Sequence, residues 1–363
     1  MPEHTPTAWN DYRTKEEARL APVLASLGYT LDDVQPHTGG ERPYMLPVGS
    51  RKLVLFGRTQ DGTHIVIKAS SEPHAKEEIR HERMCRSVLE RIHFAYLTFH
   101  APQEIFWQEN RGLAVYITEY IAQDRTFLER PVEEQFSLAL DAFKAQESAH
   151  ATTHSHIALI RSTFGEIDAD QYLMRARSYV SDIQELAPAE ACDAPLTESL
   201  SRLERERDTI EQYCSFLTHW DFTPQNIRIR GGQLYLLDHS SLRFGNKYEG
   251  WARFINFMEL YHPTLAHALT QYVRDNRAPE ESAALQSMRV YRLLELIRHY
   301  AVWLPRTDGN LNALARERIR FWGAVLRCVL ENTPVPTSVV AAYTAKRDAL
   351  RSNEEKQRQV GLH

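Results

Sequence analysis

Three polar side chains in one stretch of the chain could act together. The run His219-Trp220-Asp221-Phe222-Thr223-Pro224-Gln225-Asn226 sets an Asp and an Asn five residues apart, and Asp238 follows Asn226 by twelve residues. Asp238 closes the apolar run Leu234-Tyr235-Leu236-Leu237. This combination suits phosphoryl transfer. One carboxylate accepts or orients the proton of a substrate hydroxyl, while an amide oxygen and a second carboxylate hold magnesium against the phosphates of a nucleotide. An Asp in a loop after a helix is by itself a turn former or a cap, which accounts for any one of the three. It does not account for a loop, then a tight hairpin, then an Asp at the exit of the second strand. Ile227-Arg228-Ile229-Arg230 and Gln233 to Leu237 flank Gly231-Gly232, a two-residue turn. Such a hairpin is expected to return Asp238 beside Asn226 so that both reach one cation. His219 reads as a brace for the loop through hydrogen bonds rather than as a proton carrier.

The elements that must position these groups change character along the chain. Lys15 to Leu27 has apolar residues at Leu20, Val23, Leu24 and Leu27, a helical spacing, and the polar stretch from Asp32 to Pro43 reads as a loop. Strands are expected over Lys52 to Gly57 and His64 to Lys68, with the turn Asp61-Gly62 between them. A charged, periodic helix follows over Pro73 to Ile92, then strands over Glu104 to Gln108 and Leu113 to Ile121. After Pro131, which fits the first turn of a helix, long helical periods dominate, including Asp168 to Ile183 and Leu196 to Cys214. Beyond Trp251 the pattern is helical through Leu330, and the polar tail from Arg351 to His363 is expected to fray.

Lys68 ends the apolar strand Val66-Ile67-Lys68-Ala69. Alone it would be an edge lysine. With a charged helix and two more strands behind it, its ammonium group can meet nucleotide phosphates if a helix carboxylate fixes its position. Glu82 and Glu78, one turn apart, both qualify, and Glu82 is favoured. Gly49-Ser50-Arg51-Lys52 occupies the place of a phosphate-covering loop, with Ser50 as its polar side chain, although one glycine makes a poor cradle. His150, His154 and His156 cluster without a carboxylate or thiol to complete a metal site, so packing or surface roles suit them better.

Composition sets wider bounds. The 363 residues can build more than one packed unit, and 43% hydrophobic with 25% charged residues is ordinary for a globular protein. A formal charge of -5 gives no support to a nucleic-acid partner. Four cysteines lack metal-ligand or disulfide-framework spacing. The start carries no secretory pattern, and no apolar run is long enough to span a bilayer. A cytoplasmic protein without a membrane partner is the expectation.

With these residues in hand, the chain resembles the aminoglycoside phosphotransferase and choline kinase-like group of the protein-kinase-like superfamily. The likeness runs from about Tyr44 to Phe257, and its specific part is His219 to Asp238. It implies an α+β, bilobal protein-kinase-like fold, with a small antiparallel-sheet lobe of five strands and a larger, mainly helical lobe carrying the catalytic loop. On this basis residues 1–43 form an N-terminal helical extension, 44–121 the nucleotide-binding lobe and 122–363 the helical lobe with the acceptor site. The resemblance makes Asp221 the catalytic base and Asn226 and Asp238 the magnesium ligands. Lys68, steadied by Glu82, would contact ATP phosphates, and the backbone from Glu119 to Ile121 would receive the adenine. Three positions depart from the family pattern. Trp220 stands where Gly is usual, Asp238 is followed by His239-Ser240 instead of an aromatic and an acidic residue, and Gly250-Trp251-Ala252 replaces an Asp-Leu-Ala triplet.

The expected activity is transfer of the ATP γ-phosphoryl group, with Mg2+, to a hydroxyl of a small molecule such as a sugar, amino alcohol, metabolite or antibiotic. The alternative is a catalytically silent kinase-like nucleotide-binding or scaffold protein. Antibiotic-modifying members favour acidic acceptor pockets. Here the corresponding helical region carries Arg289, Arg292, Arg298, Arg306, Arg316, Arg318, Arg320 and Arg327, a balance that leans towards a neutral or anionic acceptor.

Overall fold

The computed structural model describes residues 6–36, 51–91, 100–110, 112–148, 154–190 and 193–351. Ser50, His150 and the tail beyond Arg351 lie outside the described residues. The chain divides into two compact units. One comprises the residues up to Arg91 together with His100–Asp124 and Arg228–Ser240, and the other comprises Arg125–Ile227 and the chain from Ser241 onward.

The first unit begins with helix α1 (Pro6–Leu27) and strands β1 (Thr30–Leu31), β2 (Leu53–Arg58) and β3 (His64–Ser70). Helix α2 (Pro73–Arg91) and strands β4 (Glu104–Asn110) and β5 (Leu113–Glu119) follow. The strands form one antiparallel sheet in the order β1-β2-β3-β5-β4. Gly62, in the connection between β2 and β3, has φ +84°, a conformation that favours glycine. Side chains alternate across a strand, so Ile65, Ile67 and Ala69 face one way and Lys68 the other. The apolar face is covered by α1. Tyr12, Leu20 and Leu24 join Leu53, Leu55, Ile65, Ile67, Leu113, Val115 and Ile117 in one core cluster. Polar contacts latch the same helix in place. Tyr12 Oη donates to the Arg51 carbonyl at 2.5 Å, and buried Glu16 accepts from the Ser71 N–H and hydroxyl, each at 2.6 Å.

The second unit is mainly helical. It contains α3 (Val132–Ser148), α4 (His154–Phe164), α5 (Ala169–Leu186), α6 (Asp193–Arg205), α7 (Arg207–Gln212) and the strand β6 (Phe216–His219). The hairpin β7 (Ile227–Arg230) and β8 (Gln233–Leu236) then belongs, from Arg228 on, to the first unit. Gly231 and Gly232 have φ of +58° and +77°, as a two-residue turn with both central residues left-handed demands. The second unit resumes with β9 (Leu242–Gly245), α8 (Tyr248–Tyr261), α9 (Pro263–Asn276), α10 (Pro279–Trp303), α11 (Gly309–Leu330) and α12 (Thr337–Leu350). Helix α10 packs against α5, α8 and α11 at its centre. One helix was expected over Leu196 to Cys214, but the chain breaks at Glu206. The break lets Glu211 of α7 accept the Ala169 N–H at the start of α5, at 2.9 Å. The antiparallel sheet and the helical second unit give the α+β fold class expected from the sequence. No described helix is long and apolar enough to cross a membrane.

If α1 is part of the first unit's core, Leu20→Ala should lower the unfolding free energy by about 2–5 kcal/mol, the usual cost of truncating a buried leucine. Urea denaturation followed by circular dichroism reads this directly, and an unchanged midpoint would show that α1 is an appendage.

Candidate active site

In the first unit the site is built around Lys68. Its position opposite Val54 on β2 and Tyr116 on β5 holds it at the centre of the sheet. The ammonium group donates to both carboxylate oxygens of Glu82 on α2, at 2.5 and 2.6 Å. Glu78, one turn earlier, pairs instead with Lys52 at 3.3 Å. Burial works against the Lys68 charge, but the Glu82 and Asp238 carboxylates outweigh it and hold the ammonium group above its ordinary pKa. Twenty per cent of the Lys68 side chain remains exposed, so the pair is not sealed from a ligand.

Asp238 stands just after β8 with φ +54°. A left-handed backbone is costly for a residue with a side chain, and such strain gathers at functional positions. Ser240 Oγ donates to Asp238 Oδ1 at 2.5 Å. The residue that replaces the family's acidic group thus orients the carboxylate. At the far end of β5, the Glu119 side chain is held by Arg230 at 3.0 Å and by the Gln103 N–H at 2.9 Å. The Glu119 and Tyr120 N–H groups donate to Gln103 and His64, at 2.9 and 3.1 Å. No backbone acceptor meets the Ile121 N–H among the described residues.

In the second unit Asp221 lies between β6 and the short 3-10 turn Pro224–Asn226. Pro224 at the turn's start fixes φ, and the Asn226 N–H donates to the Thr223 carbonyl at 2.9 Å. The loop is anchored by its neighbour, Phe222, which is 1% exposed. Its ring meets Phe143 and Phe254 at centroid distances of 6.2 and 5.6 Å, and Phe143 stacks on Trp251 at 4.0 Å. His219 is fully buried with its ring edge-on to Phe222, so it braces the loop by packing. Asn226 Nδ2 donates to the Asp221 carbonyl at 2.9 Å and to its Oδ2 at 3.2 Å, which turns the amide oxygen away from Asp221. Arg253 of α8 donates to Asp221 Oδ1 at 3.1 Å. Thus Asn226 and Asp221 are joined directly in one unit, and Lys68, Glu82 and Asp238 group in the other.

The positions that depart from the pattern of the family this chain resembles have structural counterparts. A Cβ on Gly250 would lie 2.6 Å from Gln146 Oε1 and 2.9 Å from the His219 carbonyl, so α8 approaches the loop closely only because this position lacks a side chain. The Gly250 N–H donates to Thr218 Oγ1 at 3.1 Å. Next to it, Glu249 is fully buried and bonded to Arg243, to Tyr172 Oη at 2.8 Å and to Arg292 at 3.4 Å. Burial disfavours the Glu249 charge, but these arginines prevail and hold its carboxyl below the usual range. Arg292 in turn lies 5.8 Å from the ring centroid of Trp220. The tryptophan therefore rests on a guanidinium fixed by α8.

Much of the arginine excess is neutralised internally. Arg289 bonds Glu259 at 2.6 Å, Arg298 bonds Asp182 at 2.6 Å, and Arg316 bonds Glu190 at 2.6 Å. Sequence reasoning missed Arg253 and His299, because neither lies in a motif; Arg253 bonds Asp221 through the tertiary fold, and His299 lies within electrostatic range of it. His299 of α10 is exposed, yet neighbouring protein atoms crowd its ring. This crowding pushes its imidazole down to about 4, with Arg253, Arg318 and Arg298 adding repulsion and Asp221 pulling the other way. An unfolded histidine titrates near 6.5. The unfolded chain therefore takes the proton first, and this site's contribution to stability is complete above about 6.5 and is lost as pH falls towards 4. The His299 ring signal in NMR should titrate about 4, and a midpoint at 6.5 would show that neither the crowding nor the arginines disfavour its charge. Gly250→Ala should cost about 1–3 kcal/mol by urea denaturation, as overpacking does, whereas an unchanged midpoint would mean the close approach is not required.

No family model and no curated protein matches this sequence. Solved structures do match its fold. The GDP complex of aminoglycoside 2'-phosphotransferase-IIIa superposes with a TM-score of 0.59 at 11% identity, covering 85% of this chain and 99% of that one. Aminoglycoside phosphotransferase APH(4)-Ia, as a thermostable mutant bound to ADP and hygromycin B, gives 0.52 at 16%, covering 86% and 97%. The macrolide 2'-phosphotransferase MphH from Brachybacterium faecium gives 0.50 at 16%, covering 83% and 97%. The fold of this chain is the one seen in these aminoglycoside and macrolide phosphotransferases.

Proposed function

We propose that the protein is an ATP- and Mg2+-dependent phosphotransferase that moves the γ-phosphoryl group to a hydroxyl of a small molecule. The observation that carries this reading is the pair of hydrogen bonds from Asn226 Nδ2 to Asp221. It turns the amide's donor end to the base and leaves the amide oxygen as an acceptor, which is the end a hard cation takes. By the resemblance, Asn226 would supply one amide oxygen and Asp238 one carboxylate. A donor set this small suits magnesium, which keeps waters and takes its other oxygens from phosphates. When bound, the ion would neutralise charge on the transferring group.

Each side chain then has a role. Asp221 orients the acceptor hydroxyl and takes its proton as the oxygen bonds to the γ-phosphorus and the bond to the leaving ADP oxygen breaks. Arg253 holds the Asp221 carboxylate through Oδ1. Lys68, kept charged and fixed by Glu82, contacts the phosphates, and the Glu119–Ile121 backbone receives the base, with the Ile121 N–H as donor. Ser50 would cover the phosphates. Neighbours of this fold are known with ADP, GDP and AMP-PNP, and with hygromycin B or kanamycin, which supports a nucleotide and a small hydroxyl-bearing acceptor.

Asp221→Asn keeps the shape of the loop but removes the proton acceptor. It should cut kcat by about 10²–10⁴, the usual worth of a positioned base, while ATP binding largely survives. ADP release in the presence of acceptor measures the first and calorimetry the second. Turnover at the parent rate would remove Asp221 from its role. ATP binding with no transfer to a broad panel of alcohols would favour a silent nucleotide-binding protein.

A further inference from the structure

The second unit holds a cavity of about 100 Å3 bounded by α8, α9, α10, the end of α11 and the connection that follows it. Glu259 of α8 and Gln286 and Arg289 of α10 are its buried polar residues, with Val329 and Val335 as apolar wall. Arg274 of α9 and Asn332, just after α11, are exposed and form its mouth. Neither Arg253 nor Asn226, the residues that bond Asp221, lines it.

The hydrogen bonds around the cavity decide which way each amide points. Arg274 can only donate, and its Nη2 meets Asn332 Oδ1 at 3.2 Å, so Asn332 presents its oxygen there. The same oxygen accepts from Gln286 Nε2 at 3.0 Å, which turns the carbonyl end of Gln286 the other way. That Oε1 is buried and receives no hydrogen bond. An acceptor in this condition costs stability that a donor from a guest would recover. Glu259 accepts from Arg289 through Oε1 at 2.6 Å, and its second oxygen has no partner among the described residues. Arg289 is engaged by Glu259 and by Asn256 at 2.9 Å, whereas Arg274 pairs with no carboxylate among the described residues.

Asn332 is placed for this task. It ends α11 with φ +56°, a position where glycine is usual. The Thr333 N–H donates to the Cys328 carbonyl at 2.9 Å and the Asn332 N–H to Val329 at 3.3 Å, closing the helix end. Glycine would serve that backbone equally well, but only asparagine adds the carboxamide that holds Gln286 and Arg274.

Two acceptors short of donors thus lie inside the cavity, and a guanidinium without a counter-charge stands at its mouth. An ammonium group supplies several N–H donors, and a carboxylate is the natural partner of a guanidinium fork. The space is smaller than the roughly 150 Å3 that accepts benzene, so a guest is limited to a few heavy atoms with its carboxylate at the mouth. We propose that this cavity binds a small free amino acid, its ammonium group received by Glu259 and Gln286 and its carboxylate by Arg274. The site stands apart from the phosphotransferase reading and does not depend on it.

Calorimetric titration of the full chain with L-alanine, L-lactate, propionate and ethylamine tests it, because the last three each lack one of the charged groups. L-Alanine should bind one to one, at least roughly tenfold more tightly than any of the others, a gap of about 1.4 kcal/mol. Arg274→Gln should weaken L-alanine by a similar factor, and Arg274→Lys, which keeps the charge, should recover part of it. Circular dichroism of both variants confirms that they fold. Asp221→Asn should bind L-alanine as the parent does, which separates this cavity from the phosphotransfer site. Absence of L-alanine binding, equal binding of L-lactate, propionate or ethylamine, undiminished affinity in Arg274→Gln, or loss of binding in Asp221→Asn overturns the proposal.

Discussion

Phe222 follows Asp221 in the chain, and the two have opposite requirements. The carboxylate must stay within reach of solvent and substrate, while the ring is buried against Phe143 and Phe254. A loop has no ladder of backbone bonds to hold its shape, so what it buries decides how firmly its polar groups are placed. Here the aromatic cluster holds the loop from below, Pro224 stiffens it, and Asn226 ties its far end back to Asp221. Gly250 lets α8 press against the same loop, which brings Arg253 to the carboxylate. The polar geometry of the second unit follows from this apolar anchor.

Charge is managed differently in the two units. Lys68 and Glu82 satisfy one another at close range in the sheet-bearing unit, with Asp238 adding a second carboxylate. A buried pair of this kind contributes little net stability once desolvation is counted, so its value lies in fixing the orientation of the ammonium group. In the helical unit Glu249 gathers Arg243, Arg292 and Tyr172 around one fully buried carboxylate. Through Arg292 this hub also supports Trp220, so a residue that departs from the family pattern is tied to the same framework as the loop.

What could be read in the sequence was local. Alternation marked β2 and β3, paired glycines marked the β7–β8 turn, and the spacing of Asp221, Asn226 and Asp238 marked candidates for chemistry. The two-residue β1 and the four-residue β6 and β9 were too short to show a period, so the strand that leads into Asp221 went unseen. Glu249, Arg253 and His299 were unreadable for a different reason. A charged residue in a helical pattern ordinarily faces solvent, and only the tertiary packing gives Glu249 its arginines and Arg253 its bond to Asp221, and sets His299 among other charges. The arginines of the last helices carried the opposite lesson. Several that looked like free charge are neutralised by acids distant in the chain, such as Glu190 for Arg316.

The docking of α1 on the sheet also bears on how the protein is made. Tyr12, Leu20 and Leu24 leave the ribosome well before Leu113–Ile117, the last strand segment of the core they share. Throughout that interval the apolar stripe of the helix has no completed partner. A nascent chain of this design is therefore a natural client for chaperones that shield hydrophobic segments during translation, until β5 arrives and the first unit closes over its own beginning.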